Sequence, residues 1–171
     1  MSQGVPRSNS VCAGDTGAAV ALAAIIIPVL LAIAGLVVDV GQLYWVRADL
    51  QKTAAAAALA AVADLPSSTE ARATGVAYGS ANHGDGIAVA GSDVEIGRWN
   101  RQTRTFTPGG SPANAVLVTA NRSSANGNPV DLFFLPILGV DTADVAATAV
   151  AARTGGMGTR FLIDDEMFDT D

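Results

Sequence analysis

The sequence predicts an α+β protein: a long N-terminal transmembrane helix extended into a small domain with a short helix and a 4-5-stranded antiparallel sheet. Three observations carry that expectation. Residues 17–38 form an uninterrupted apolar run, an alanine-rich helical stretch continues it to residue 64, and short alternating runs separated by turn residues follow residue 87. Composition agrees with a membrane segment. Half of the 171 residues are hydrophobic while only 5% are aromatic and 15% charged, less charge than soluble domains usually carry.

The first element runs from Gly17 through Pro28 to Val38, with no charged or hydrogen-bonding side chain. As a helix it spans about 33 Å, against a hydrocarbon core of roughly 30 Å. Its four Ile, four Leu and four Val favour insertion by about 4–7 kcal/mol at roughly −0.3 to −0.6 kcal/mol each. Pro28 removes one helical hydrogen bond, which membrane helices tolerate. A secretory signal would have a shorter apolar core before its small-residue cleavage site. Ala32-Ile33-Ala34 has that form, but the helical pattern continues through it. The predicted partner of this segment is the lipid bilayer.

Asp39 ends the apolar run. An acid at a membrane exit is costly unless it meets water, headgroups or a partner, so it is either a docking contact or a stop signal in the headgroup layer. Tyr44 and Trp45 suit the membrane–water interface, or equally a packing role on the exposed domain. The stretch 46–63 keeps helix-forming residues, with Leu50-Gln51 followed by eight alanines in residues 54–63. A surface that small, with Ala57 and Ala61 one turn apart, permits close approach to another helix or to a sheet. Asp64-Leu65-Pro66 stops the helix, because a residue before proline avoids the α region.

Ser67-x-x-Glu70 is a capping box that opens a second helix of roughly 68–82. Extended runs follow at Ile87–Ala90, Val94–Trp99, Arg104–Thr107, Ala115–Ala120 and, with helix as the alternative, Val145–Ala151. The apolar patch 130–138 around Pro136 is expected as a short helix or bend covering one face of the sheet. The expected core is Ile96, Trp99, Phe106, Val116, Val118, Phe133, Phe134 and Leu138.

Charge and motifs exclude several functions. Five of the sixteen acids lie in the last eight residues, and the rest of the chain is nearly neutral with no basic stripe, so no nucleic acid is expected as partner. A single cysteine, Cys12, and a single histidine, His83, leave no disulfide framework and no Cys- or His-rich metal site. Cys12 lacks a lipobox and reads as an inert thiol. His83 sits at an expected helix end, without a visible partner for acid–base work. The acidic run Asp164, Asp165, Asp169 and Asp171 lacks calcium-loop spacing and reads as a solvated tail. No catalytic residue, cofactor or small-molecule substrate is expected, and the chain reads as a non-enzyme.

The run from Pro28 to Tyr44, an apolar helix leaving through Val38-Asp39-Val40-Gly41-x-Leu43-Tyr44 into Leu50-Gln51 and the alanines, resembles the Flp pilus-assembly TadE/TadG-like family, in its TadG-type N-terminal region. Val94–Trp99, Phe106-Thr107, Asn114–Val118, Phe133-Phe134 and Ala147–Ala151 are similar to the domain that follows that helix. The resemblance implies a non-catalytic component of a tight-adherence pilus-assembly or secretion machine. It implies a single pass through the bacterial inner membrane, a periplasmic C-terminal part, and other pilus-assembly proteins (pseudopilins, platform proteins) as partners. Counts of positive residues do not fix orientation, although the short featureless tail suits the cytoplasm. Residues 1–16 are then a cytoplasmic tail, 17–64 the transmembrane helix with its extramembrane extension, 65–153 a periplasmic α+β domain, and 154–171 an acidic tail. Relatives cut by a prepilin peptidase carry Glu five residues after the glycine. Ala19 stands at that spacing from Gly14, so no cut is expected. The ending FLIDDEMFDTD reads as interrupted, the expectation for a truncated chain. A membrane-tethered extracytoplasmic binding or adhesion module unrelated to pili is the alternative.

Overall fold

A computed structural model describes residues 13–81, 89–153 and 161–163. Cys12, His83 and the acids of 164–171 lie outside them. One helix, α1 (Ala13–Ala63), runs unbroken through Pro28 for 51 residues, about 76 Å. At its end the N–H groups of Asp64 and Leu65 donate to the carbonyls of Ala61 and Val62, three residues back, tightening the last turn before Pro66. The second helix, α2 (Ser68–Ala81), begins where the capping box places it. Ser67 Oγ accepts from the Glu70 N–H at 3.5 Å, and the Ser67 carbonyl from the Ala71 N–H at 3.0 Å.

The strands are β1 (Val94–Asn100), β2 (Thr105–Pro108), β3 (Ala115–Arg122), β4 (Val130–Asp131), β5 (Thr142–Ala143), β6 (Val145–Arg153) and β7 (Phe161–Ile163). Five of them form an antiparallel sheet in the order β2-β1-β3-β6-β7, and β4 pairs with β5. Register aligns Val94 with Val118 and Ile96 with Val116 across β1 and β3. It continues Val118 to Ala149 and Val116 to Ala151 across β3 and β6. With a side-chain period of two, these residues share the face that α1 covers.

The core lies between that face and the second half of α1. Leu50, Ala54, Ala57, Ala58, Ala61 and Val62 are buried against Val94, Val116, Val118, Ala120 and the alanines of β6. Methyl groups on both sides bring the helix close to the sheet, which is why a chain with so few aromatics can still form two packed layers. Val116→Ala removes two methyl groups from a site with no solvent exposure. It is expected to lower stability by about 2 kcal/mol, measurable as a fall in thermal midpoint.

One expectation is corrected. Of the eight core residues read from sequence, only Val116 and Val118 are fully buried, with Ile96 packed partly against them. Trp99 and Phe106 lie on the opposite face of the sheet with Ala115, Leu117, Val150 and Ala152. Phe133, Phe134 and Leu138 are exposed. The cause is spacing: two layers held together by alanines leave no room between them for aromatic rings. Beyond residue 153, Phe161–Ile163 pair with Arg153–Ala151 as the fifth strand of the sheet.

Candidate functional site

Every Ile, Leu and Val between Gly17 and Val38 is exposed, all twelve of them. This helix, apolar on all sides and almost wholly exposed, is long and apolar enough to cross a membrane. The transition from that surface to the folded domain is concentrated at Asp39, and the site is built there.

Asp39 is wholly buried. Its carboxylate accepts from three consecutive backbone N–H groups, those of Phe133 at 2.8 Å, Phe134 at 3.0 Å and Leu135 at 2.7 Å. These are the orphan donors at the start of a 3-10 turn, Leu135–Leu138, so the acid acts as a cap supplied from 94 residues away in sequence. Burial acts to raise the Asp39 pKa, but the hydrogen bonds from Phe133, Leu135 and Phe134 outweigh it and hold the carboxyl below its ordinary value of 3.8. The sign follows directly. A depressed folded pKa contributes stability that is complete above the unfolded value and is lost as pH falls through the lower folded value. Amide exchange at Phe133–Leu135, corrected for its intrinsic pH dependence, is therefore expected to be flat from pH 7 to 5 and to accelerate only below about pH 4.

Other side chains of α1 bond the backbone of the domain. Gln42 Nε2 donates to the Asp131 carbonyl at 3.1 Å, and further along the helix Gln51 Nε2 donates to the Thr148 carbonyl at 3.1 Å. The Phe134 ring lies on Gly35, where an added Cβ would stand 2.6 Å from Phe134 Cγ. Only glycine admits the ring there. Gly35→Leu is expected to lift Phe134 from the helix and speed exchange at Phe133–Leu135 several-fold, while amides of β3 and β6 keep their protection.

The other residues singled out from sequence separate into two groups. Gly17, Pro28 and Val38 stand on the exposed apolar stretch, and Tyr44 and Trp45 project with most of their surface exposed. Leu50, Ala57 and Ala61 are fully buried in the chain's own core, with Gln51 partly buried beside them. Sequence reasoning had not singled out Gly35, Gln42 or the clasp around Asp39. The readable signal was the uncharged run Leu132–Val140 bracketed by Asp131 and Asp141, although its partner on α1 was not.

Among the described residues no group of three His, Cys, Asp or Glu could hold a metal ion. An open cleft of about 310 Å³ at the end of the sheet, lined by Arg98, Trp99, Arg101, Asn114 and Arg153, presents cations but no pairing of nucleophile and base. The site's geometry is that of a joint between an apolar helix and a domain.

Comparison with known proteins decides the family. The model of a Tad-like Flp pilus-assembly family matches residues 40–151, well over half of the chain. The chain belongs to that family. The match starts beside Asp39 and ends in β6, so it takes in the C-terminal half of α1, α2, β1–β5 and most of β6. No curated protein and no solved structure matches the chain. Membership in this Tad-like family supports a role in pilus assembly, and the candidate membrane helix near the N-terminus fits a membrane-anchored member.

Proposed function

We propose that this Tad-like protein is a non-catalytic, single-pass anchor and assembly factor of a Flp-type pilus machine. Residues 17–38 cross the inner membrane, residues 1–16 remain in the cytoplasm, and the domain of 65–153 stands in the periplasm against other assembly components such as pseudopilins and platform proteins. The observation that carries the reading is the junction at Asp39: an apolar helix whose Ile, Leu and Val are all exposed on one side, and the family-matched domain on the other. The exposed Tyr44 and Trp45, just beyond the apolar stretch, have the amphipathic character of interfacial anchors. The half-exposed outer sheet face, with Leu117, Trp99 and Phe106, offers a second surface to a protein partner.

The test is purification of the tagged protein from native membranes in mild detergent, with mass spectrometry of what accompanies it. Secretion ATPase, platform proteins or pilins are the expected companions. A solitary protein from piliated cells would overturn the assembly role and favour a tethered binding module. Reporter fusions at residues 8 and 153 read orientation, with an active periplasmic reporter expected only at residue 153.

A further inference from the structure

We infer that the loop of residues 132–140 is a second membrane-contacting element, a fixed apolar wedge that rests in the outer boundary of the bilayer beside α1. The inference depends on the reading that residues 17–38 cross a membrane. Its first support is exposure. Ile137 is 83% exposed, Leu138 77% and Phe133 70%, in a run of nine uncharged residues, LFFLPILGV. Large apolar side chains grouped this way mark a surface that meets something other than water.

The second support is position. Phe134 packs on Gly35, one helical turn on the N-terminal side of Asp39, about 6 Å into the apolar stretch at 1.5 Å per residue. The wedge is thus continuous with the exposed apolar surface of Leu31 and Val38, which flank Gly35 on the same side of the helix. Any bilayer around that part of α1 also reaches the loop. Tyr44 and Trp45, beyond the acid on the same helix, fall where the headgroup layer would lie.

Backbone chemistry gives the third support. Irregular backbone enters an apolar medium only when its polar groups are satisfied internally. Asp39 takes the N–H groups of Phe133, Phe134 and Leu135. Leu132 donates to the Asp141 carbonyl, Ile137 to Phe134, Gly139 to Pro136 and Val140 to Leu135, all between 3.0 and 3.2 Å, and Pro136 has no N–H to satisfy. Seven of the loop's eight backbone N–H groups are paired in this way, which lowers the cost of placing the segment against an apolar medium. The charged residues Asp131 and Asp141 stand at its two feet, and none lies at its tip. The occupant is therefore lipid, at the boundary of headgroups and acyl chains.

The test uses the full chain, with its one cysteine removed (Cys12→Ser), reconstituted in vesicles of phosphatidylethanolamine and phosphatidylglycerol. Single cysteines introduced at position 137 (Ile137→Cys), at 30 in the apolar stretch (Leu30→Cys) and at 103 in the β1–β2 turn (Thr103→Cys) carry nitroxides. Their collision rates with oxygen, which partitions into lipid, and with a water-soluble nickel chelate are then compared. Position 137 is expected to favour oxygen as position 30 does, at shallower depth, with nickel access several-fold below that at 103. Nickel access at 137 equal to that at 103, with 30 in lipid, would overturn the wedge and leave the anchor intact. Shielding of 137 from both reagents would also overturn it, because protein then covers the loop. Nickel access at position 30 would remove the anchor itself and the wedge with it.

Discussion

Asp39→Ala is expected to release residues 132–140 from α1, with backbone amides of Phe133, Phe134 and Leu135 exchanging roughly ten- to hundredfold faster than in the unaltered protein. The substitution removes four acceptor contacts at once, between 2.7 and 3.3 Å, and leaves three part-buried donors facing a methyl group. Asp39→Asn is expected to recover only part of the protection, because its amide presents one acceptor and sets an N–H₂ against the same donors. Hydrogen exchange in detergent micelles reads both variants. Unchanged exchange in Asp39→Ala would show that the three N–H groups do not depend on the carboxylate. If the loop is the bilayer contact inferred above, Asp39→Ala also raises nickel access at position 137 while leaving position 30 in lipid.

The sequence was legible where each residue's role is decided by its near neighbours. The apolar stretch, the stop at Leu65-Pro66, the start of α2 after Ser67 and the strands at 94, 115 and 145 all follow from composition, capping or period-two alternation within a few positions. It was illegible where a partner is distant. Asp39 stands 94 residues before Phe133, so the sequence offered an acid at an exit and an apolar loop but no link between them. The core was misjudged for a related reason. Size suggested that Phe133, Phe134 and Leu138 should be buried, yet the space between layers is set by alanines of α1 and β6, and that space admits Val116 and Val118 but not phenyl rings. Gly35 was equally silent, because its function appears only once Phe134 lies on it.

The alanines of α1 give the other large effect. Ala57→Glu is expected to abolish the cooperative unfolding transition of the domain rather than to weaken one contact. Ala57 has no exposed surface and belongs to the packed cluster that includes Leu50, Val116 and Ala149. Adding a carboxylate there overfills a site built for a methyl group and buries a charge beside Leu50, Val116 and Ala149. Overpacking alone typically costs about 1–3 kcal/mol, and an unpaired buried charge adds several more, against a total of roughly 5–15 kcal/mol for a domain. Ala63→Glu, on the exposed last turn of the same helix, is expected to change stability by less than about 0.5 kcal/mol. Thermal denaturation monitored by near-ultraviolet circular dichroism separates the two. A normal transition in Ala57→Glu would mean that α1 does not pack on the sheet as described. Because this face is occupied within the chain, loss of pilus assembly in Ala57→Glu or Ala61→Glu would report failed folding. Partner contact is better tested at Tyr44, Trp45 and Leu117, where substitution leaves the alanine interface whole.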